Sequence, residues 1–81
     1  KAAKQGDSKA QNNLGVSYVL GRGVLKNYVK AYMWFNLAAY NSQGNDGDYG
    51  RTEISKSLTP AQIVQAQEMS TRCLESAYDD C

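Results

Sequence analysis

The chain has 81 residues, 42% of them hydrophobic, yet that class is light: nine are Ala, six are Tyr, and Leu, Ile, Val and Phe together number fourteen. A net charge of +1, from 9 basic and 8 acidic residues, separates it from disordered chains and gives no electrostatic case for nucleic acid or an anionic membrane. The absence of His excludes His-based triads, His general bases and His metal ligands, and no apolar run approaches the roughly 20 residues of a membrane span.

In chain order, the first predicted helix covers about residues 8–20. Asp7 or Ser8 supplies the N-cap oxygen, and Ala10, Leu14, Ser17 and Tyr18 recur at helical spacing on one face. Gly21 and Gly23 end it, because glycine enters the left-handed region without a Cβ clash. Val24 and Leu25 follow in the connection. A second helix is predicted over about 28–40, with Ala31, Trp34, Phe35 and Ala38 on its inner face. Met33, Leu37 and Tyr40 point elsewhere around it, so it is expected to meet a third element. Residues 41–50 read as a Gly-rich loop by composition. A short helix over about 51–57 presents Ile54 and, beyond it, Leu58. The last helix, about 60–77, opens with Thr59 as N-cap, Pro60 at its first position and Gln62 closing a capping box. Ile63, Ala66, Ser70, Cys73, Leu74 and Ala77 make its apolar face. The fold class is therefore all-α.

Residues 2–39 read Ala-Ala-x-x-Gly-x-x-x-Ala-x-x-x-Leu-Gly-x-x-Tyr-x-x-Gly-x-Gly-Val, then Asn27-Tyr28-x-Lys30-Ala31-x-x-Trp34-Phe35-x-Leu37-Ala38-Ala39. This pattern resembles the Sel1-like repeat, an α/α solenoid family related to tetratricopeptide repeats. Ala10, Leu14, Gly15, Tyr18, Gly21, Gly23, Val24, Lys30, Ala31, Trp34, Ala38 and Ala39 stand where that motif expects them. Asn27 replaces the usual Asp. The resemblance implies an α/α superhelix fragment: one helix-turn-helix repeat over 7–40, then C-terminal capping helices over 51–81. Leu58-Thr59-Pro60 with Gln62-Ile63 resembles the opening of such a capping helix. Ala2-Ala3 before Gly6 parallels Ala38-Ala39, so residues 1–6 read as the end of a preceding repeat and the chain as the tail of a longer protein. A two-helix unit cannot bury both of its faces alone, which is why such units stack.

Cys73 and Cys81 can pair if the chain folds back after Ala77; two free thiols, with Cys73 packed in the core, are the alternative. The resemblance implies pairing, because cysteine-rich secreted relatives of the repeat carry the same C-x₇-C spacing, although here the repeat proper has no cysteine. A bonded pair implies a secreted or periplasmic protein, a reduced pair a cytoplasmic one. Asp46 and Glu53 fall at two positions of a calcium loop, but Ser42 and Gly44 occupy its first carboxylate positions, so a solvated loop is expected and no metal. Gly21-Arg22-Gly23 follows a helix and is a turn, not a nucleotide fingerprint. Trp34 and Tyr18 sit at core spacing.

The outer face of the first helix carries Lys9, Asn12, Val16, Val19 and Leu20. In tetratricopeptide-like arrays the first helix of each repeat lines the concave groove, so the resemblance makes these five the partner-binding residues, or the face of a homodimer. Neighbouring repeats or capping helices covering them is the competing expectation. The function implied is a non-enzymatic scaffold that presents a helical groove to a peptide or protein, without a cofactor. The alternatives are a structural cap on an array and, from the secreted relatives, weak β-lactam binding or hydrolysis.

Overall fold

The computed structural model describes residues 2–81; of the segment 1–6, Lys1 lies outside them. A single 3₁₀ turn, Ala3–Gln5, precedes four helices: α1 (Ser8–Leu20), α2 (Tyr28–Asn41), α3 (Asp48–Ser55) and α4 (Pro60–Glu75). No strand occurs among the described residues, and none of their helices is long and apolar enough to cross a membrane. The all-α reading as an α/α repeat fragment holds.

Short polar side chains start the helices where the sequence places them. The Asp7 carboxylate accepts from the amides of Lys9 (3.0 Å) and Ala10 (3.1 Å). Asn27 accepts from the Lys30 amide at 3.0 Å, so its replacement of Asp keeps the cap, the two residues being equivalent there. The capping box of α4 closes both ways: Gln62 N donates to Thr59 Oγ1 (3.1 Å) and Thr59 N to Gln62 Oε1 (2.9 Å). At the other end of α1, Gly21 takes a φ of 71°, and the amides of Gly21 and Arg22 both return to the Ser17 carbonyl at 2.7 and 3.0 Å. The chain then doubles back, and Asn27 N donates to Tyr18 O at 3.0 Å, fastening the entry of α2 to the exit of α1.

The middle of the molecule is α2, which packs against α1, α3 and α4. Its Ala31, Tyr32, Met33, Trp34, Phe35, Leu37 and Ala38 are all buried, so nearly its whole circumference is core. Tyr40 departs from the expected third contact and stands in solvent. Two clusters result. Met33, Trp34, Leu37, Ala3 and Cys73 form one, with Leu14, Tyr18, Met69 and Tyr78 against it. Ala31, Tyr32, Phe35, Ile54 and Ala66 form the other, with Val19, Tyr28, Leu58 and Ile63 against it. Lys30 sets its ammonium 5.8 Å from the Tyr18 ring centre, a cation–π contact across the α1–α2 seam.

Three elements differ from their sequence-based descriptions. The fully buried residues of α1 are Gln11 and Gly15, while Ala10, Leu14, Ser17 and Tyr18 are half-buried. Gln11 is satisfied at both ends: Nε2 donates to Ala3 O (2.8 Å) and Oε1 accepts from Asn41 Nδ2 (3.0 Å). A buried amide costs little once paired, and an apolar periodicity count passes over it. The third helix starts at Asp48 and ends at Ser55, three and two residues before the expected bounds. Its N-cap Gly47 lies against the Phe35 carbonyl and Ala38, too close for a Cβ, and Asp48 complements the helix dipole in the first turn. The fourth helix ends at Glu75, two residues short, because Ala77 and Tyr78 adopt left-handed φ values of 53° and 67°. Such angles cost on the order of 1–2 kcal/mol per non-glycine residue. Here they let Tyr78 N reach Cys73 O (2.7 Å), with Ser76 Oγ bridging Cys73 O (3.0 Å) and Asp80 N (2.8 Å). The reversal brings Cys81 back to Cys73, with Cα atoms 4.7 Å apart and sulfurs at bonding distance.

Candidate partner-binding groove

Among the described residues no group of three or more His, Cys, Asp or Glu side chains could hold a metal ion. Asp46, the calcium-loop candidate, is engaged by the protein: its carboxylate accepts from Ser8 Oγ at 3.0 Å and lies 3.7 Å from Lys9 Nζ. Glu53 pairs with Lys56 Nζ at 3.2 Å. What the surface does provide is an apolar groove of about 360 Å³ between α1 and α3.

The groove follows from two glycines. A Cβ on Gly15 of α1 would lie 2.6 Å from the Phe35 ring, and one on Gly50 of α3 would lie 2.5 Å from it. Neither side could carry a larger residue at this separation, so the ring is held between two bare backbone surfaces. Phe35 thus spaces α1 from α3 and also lines the groove between them. Val16, Val19 and Leu20 form the α1 wall; Tyr49, Gly50, Glu53 and Ile54 form the α3 wall; Tyr28 and Ser57 complete the lining. Val16 is 39% exposed, Leu20 48% and Tyr49 78%, so large apolar groups stand in solvent around a buried aromatic ring.

Of the five residues predicted on the outer face of α1, the structure brings Val16, Val19 and Leu20 together. Asn12 sits half-buried one turn before Val16, outside the lining. Lys9 lies about 10 Å from Val16 along the helix axis, beside Ser42 and Asp46 in a separate polar hollow. Tyr49 and Glu53 were not among the expected residues, because α3 begins inside the stretch that reads as loop. Their i,i+4 spacing, with Asp48 at the helix start, is the signal that places them on one helical face.

Comparison with known proteins bears on the same elements. The family model described as the Sel1 repeat matches residues 8–42, which span α1, its glycine turn and α2 to the residue after its end. No curated protein and no solved structure matches the chain.

Proposed function

With residues 8–42 a Sel1 repeat, a protein-interaction repeat, we propose that the chain is a binding module whose α1–α3 groove takes an apolar side chain from a partner peptide segment. The supporting observation is the convergence of Val16, Leu20 and Tyr49 over Phe35, which leaves desolvatable surface around a concave floor. The lining is mostly apolar, with Tyr28, Tyr49 and Glu53 among it, so the anchor is aliphatic or aromatic, with polar partner backbone beside it. The module works by presenting this rigid surface and carries out no chemistry of its own.

Panning a displayed random-peptide library against the chain tests the reading, with Val16→Asp as the counter-selecting surface. Val16 is partly exposed, so the added carboxylate is expected to spoil the groove and spare the fold. Enrichment of peptides sharing one apolar anchor, lost on Val16→Asp, supports the groove. Equal enrichment on both proteins refutes it and leaves the role of a structural cap. A dimer that forms on concentration and is abolished by Val16→Asp would instead make a second copy the occupant. Turnover of a chromogenic β-lactam would overturn the non-enzymatic reading.

A further inference from the structure

We propose that Cys73 and Cys81 form a redox-sensitive latch that, through Tyr78, holds the N-terminal segment Ala3–Gly6 against the helices. It stands apart from the groove and rests on a different set of contacts. The two sulfurs are at bonding distance across a turn whose Ala77 and Tyr78 both have left-handed backbones. Two consecutive non-glycine residues in that region persist only where their surroundings hold them. Here the hold combines the Cys73–Cys81 pair and the Tyr78 hydroxyl with the hydrogen bonds from Tyr78 N to Cys73 O and from Asp80 N to Ser76 Oγ.

From Tyr78 a polar path crosses the molecule. Asn41 Nδ2, at the end of α2, donates to Tyr78 Oη at 2.8 Å and to Gln11 Oε1 at 3.0 Å. Gln11 in turn donates from Nε2 to Ala3 O at 2.8 Å. The Tyr78 hydroxyl also faces Gly6, where a Cβ would lie 3.7 Å from it. Apolar contacts run parallel to the path, since Ala3 and Cys73 belong to one buried cluster. Tyr78 therefore faces Gly6 directly and is linked to Ala3 through Asn41 and Gln11, and its position depends on the turn that Cys81 closes.

Access is asymmetric. Cys73 is fully buried, whereas Cys81 is partly exposed. A dithiol reductant attacks Cys81 Sγ through one thiolate; the S–S bond breaks and Cys73 leaves as a thiolate that takes up a proton. The reductant's second thiol then displaces Cys81 as a thiol and leaves as a cyclic disulfide, so two electrons pass from the dithiol to the pair. With the cross-link gone, the left-handed turn relaxes, Tyr78 withdraws, and Asn41, which also donates to Leu37 O at 3.0 Å, loses the partner that joins Gln11 and Ala3 to the tail.

Backbone amide exchange by NMR, on the oxidised chain and on the chain reduced with dithiothreitol, tests this. Reduction is expected to speed exchange at Gly6, Asp7 and Gln11 by about tenfold or more while Arg51–Ser57 in and after α3 change less than about twofold, the pattern of a local opening. Tyr78→Phe in the oxidised chain keeps the cross-link, removes the hydroxyl and is expected to loosen the same three amides. Uniform acceleration in all helices on reduction would overturn the latch and make the pair a global staple. Unchanged N-terminal exchange in the reduced chain, or in Tyr78→Phe, would equally overturn it. So would alkylation of both cysteines in air-oxidised protein before any reductant is added.

Discussion

Adding one methyl group at Gly15 is expected to destabilise the protein strongly, although Ala is the better helix former. The substitution would put a Cβ 2.6 Å from two atoms of the Phe35 ring, about 1 Å inside ordinary carbon–carbon contact. In most cores a ring turns or slides away from such an intrusion. Here Gly50 of α3 closes on the same ring atoms, where its own Cβ would stand 2.5 Å away, so the ring has little room to yield. Overpacking of this sort costs about 1–3 kcal/mol, and the blocked escape puts Gly15→Ala at the upper end. Helix propensity returns up to about 1 kcal/mol. The net loss is about 2 kcal/mol, out of the roughly 4–12 kcal/mol that a domain of this size holds.

Thermal and urea unfolding followed at 222 nm measure it. A loss of about 2 kcal/mol corresponds to a fall in Tm of roughly 8–16 °C at this chain length, with the urea slope unchanged if the folded state remains compact. The double variant Gly15→Ala/Phe35→Leu supplies the control. A smaller side chain at 35 makes room for the new methyl, so the pair should lose less than the sum of the single variants. A Tm for Gly15→Ala equal to or above that of the parent would show that the ring has room to yield, as would strict additivity in the cycle.

Other expectations follow from individual contacts. Thr59→Ala removes the α4 cap and is expected to cost about 1 kcal/mol, with a Tm fall of some 4–8 °C; an unchanged Tm would mean that tertiary contacts alone start the helix. Gln11→Leu keeps volume but strips the partner from Ala3 O and one acceptor from Asn41 Nδ2, a loss of about 1–3 kcal/mol by urea unfolding. Stabilisation by that variant would show the buried amide to be dispensable.

Local rules made the α1–turn–α2 unit and the start of α4 legible, since both rest on caps and glycines whose chemistry acts within a few residues. Asp7, Gly21, Asn27 and the Thr59/Gln62 pair all do what their residue types require. The start of α3 was hidden for a physical reason. Gly47 and Gly50 count as loop residues in any propensity reading, yet they lie where a helix meets the carbonyl and ring of Phe35, a contact between residues distant in sequence. Tertiary packing there outweighs propensity. Gln11 was hidden likewise, because its burial depends on Ala3 O and on Asn41, thirty residues away. Half of the groove shared the fate of α3: Val16, Val19 and Leu20 were expected through the repeat resemblance, while Tyr49 and Glu53 required the helix that composition concealed.

The sparse supply of large apolar residues bears on where a partner would bind. Fourteen Leu, Ile, Val and Phe residues are few for 81, and the fold manages by concentrating bulk on α2 and presenting small residues, such as Gly15, Gly50 and Ala66, to it. A chain so constrained nonetheless leaves Val16, Leu20, Leu25, Tyr40, Tyr49 and Val64 exposed. Isolated apolar groups on a surface are ordinary, and Leu25 in the first connection and Val64 on α4 are of that kind. Tyr40 lines a hollow on another side, with Arg51 and Ser70. Val16, Leu20 and Tyr49 come from two helices that are distant in sequence and meet at one groove over Phe35. Convergence of that sort is what a contiguous interaction surface requires and scattered exposure does not produce. The same Gly-Phe-Gly contact that sets the spacing of α1 and α3 also holds the groove open, so substitutions at Gly15 or Gly50 should alter peptide selection and stability together, whereas Val16→Asp should alter selection alone.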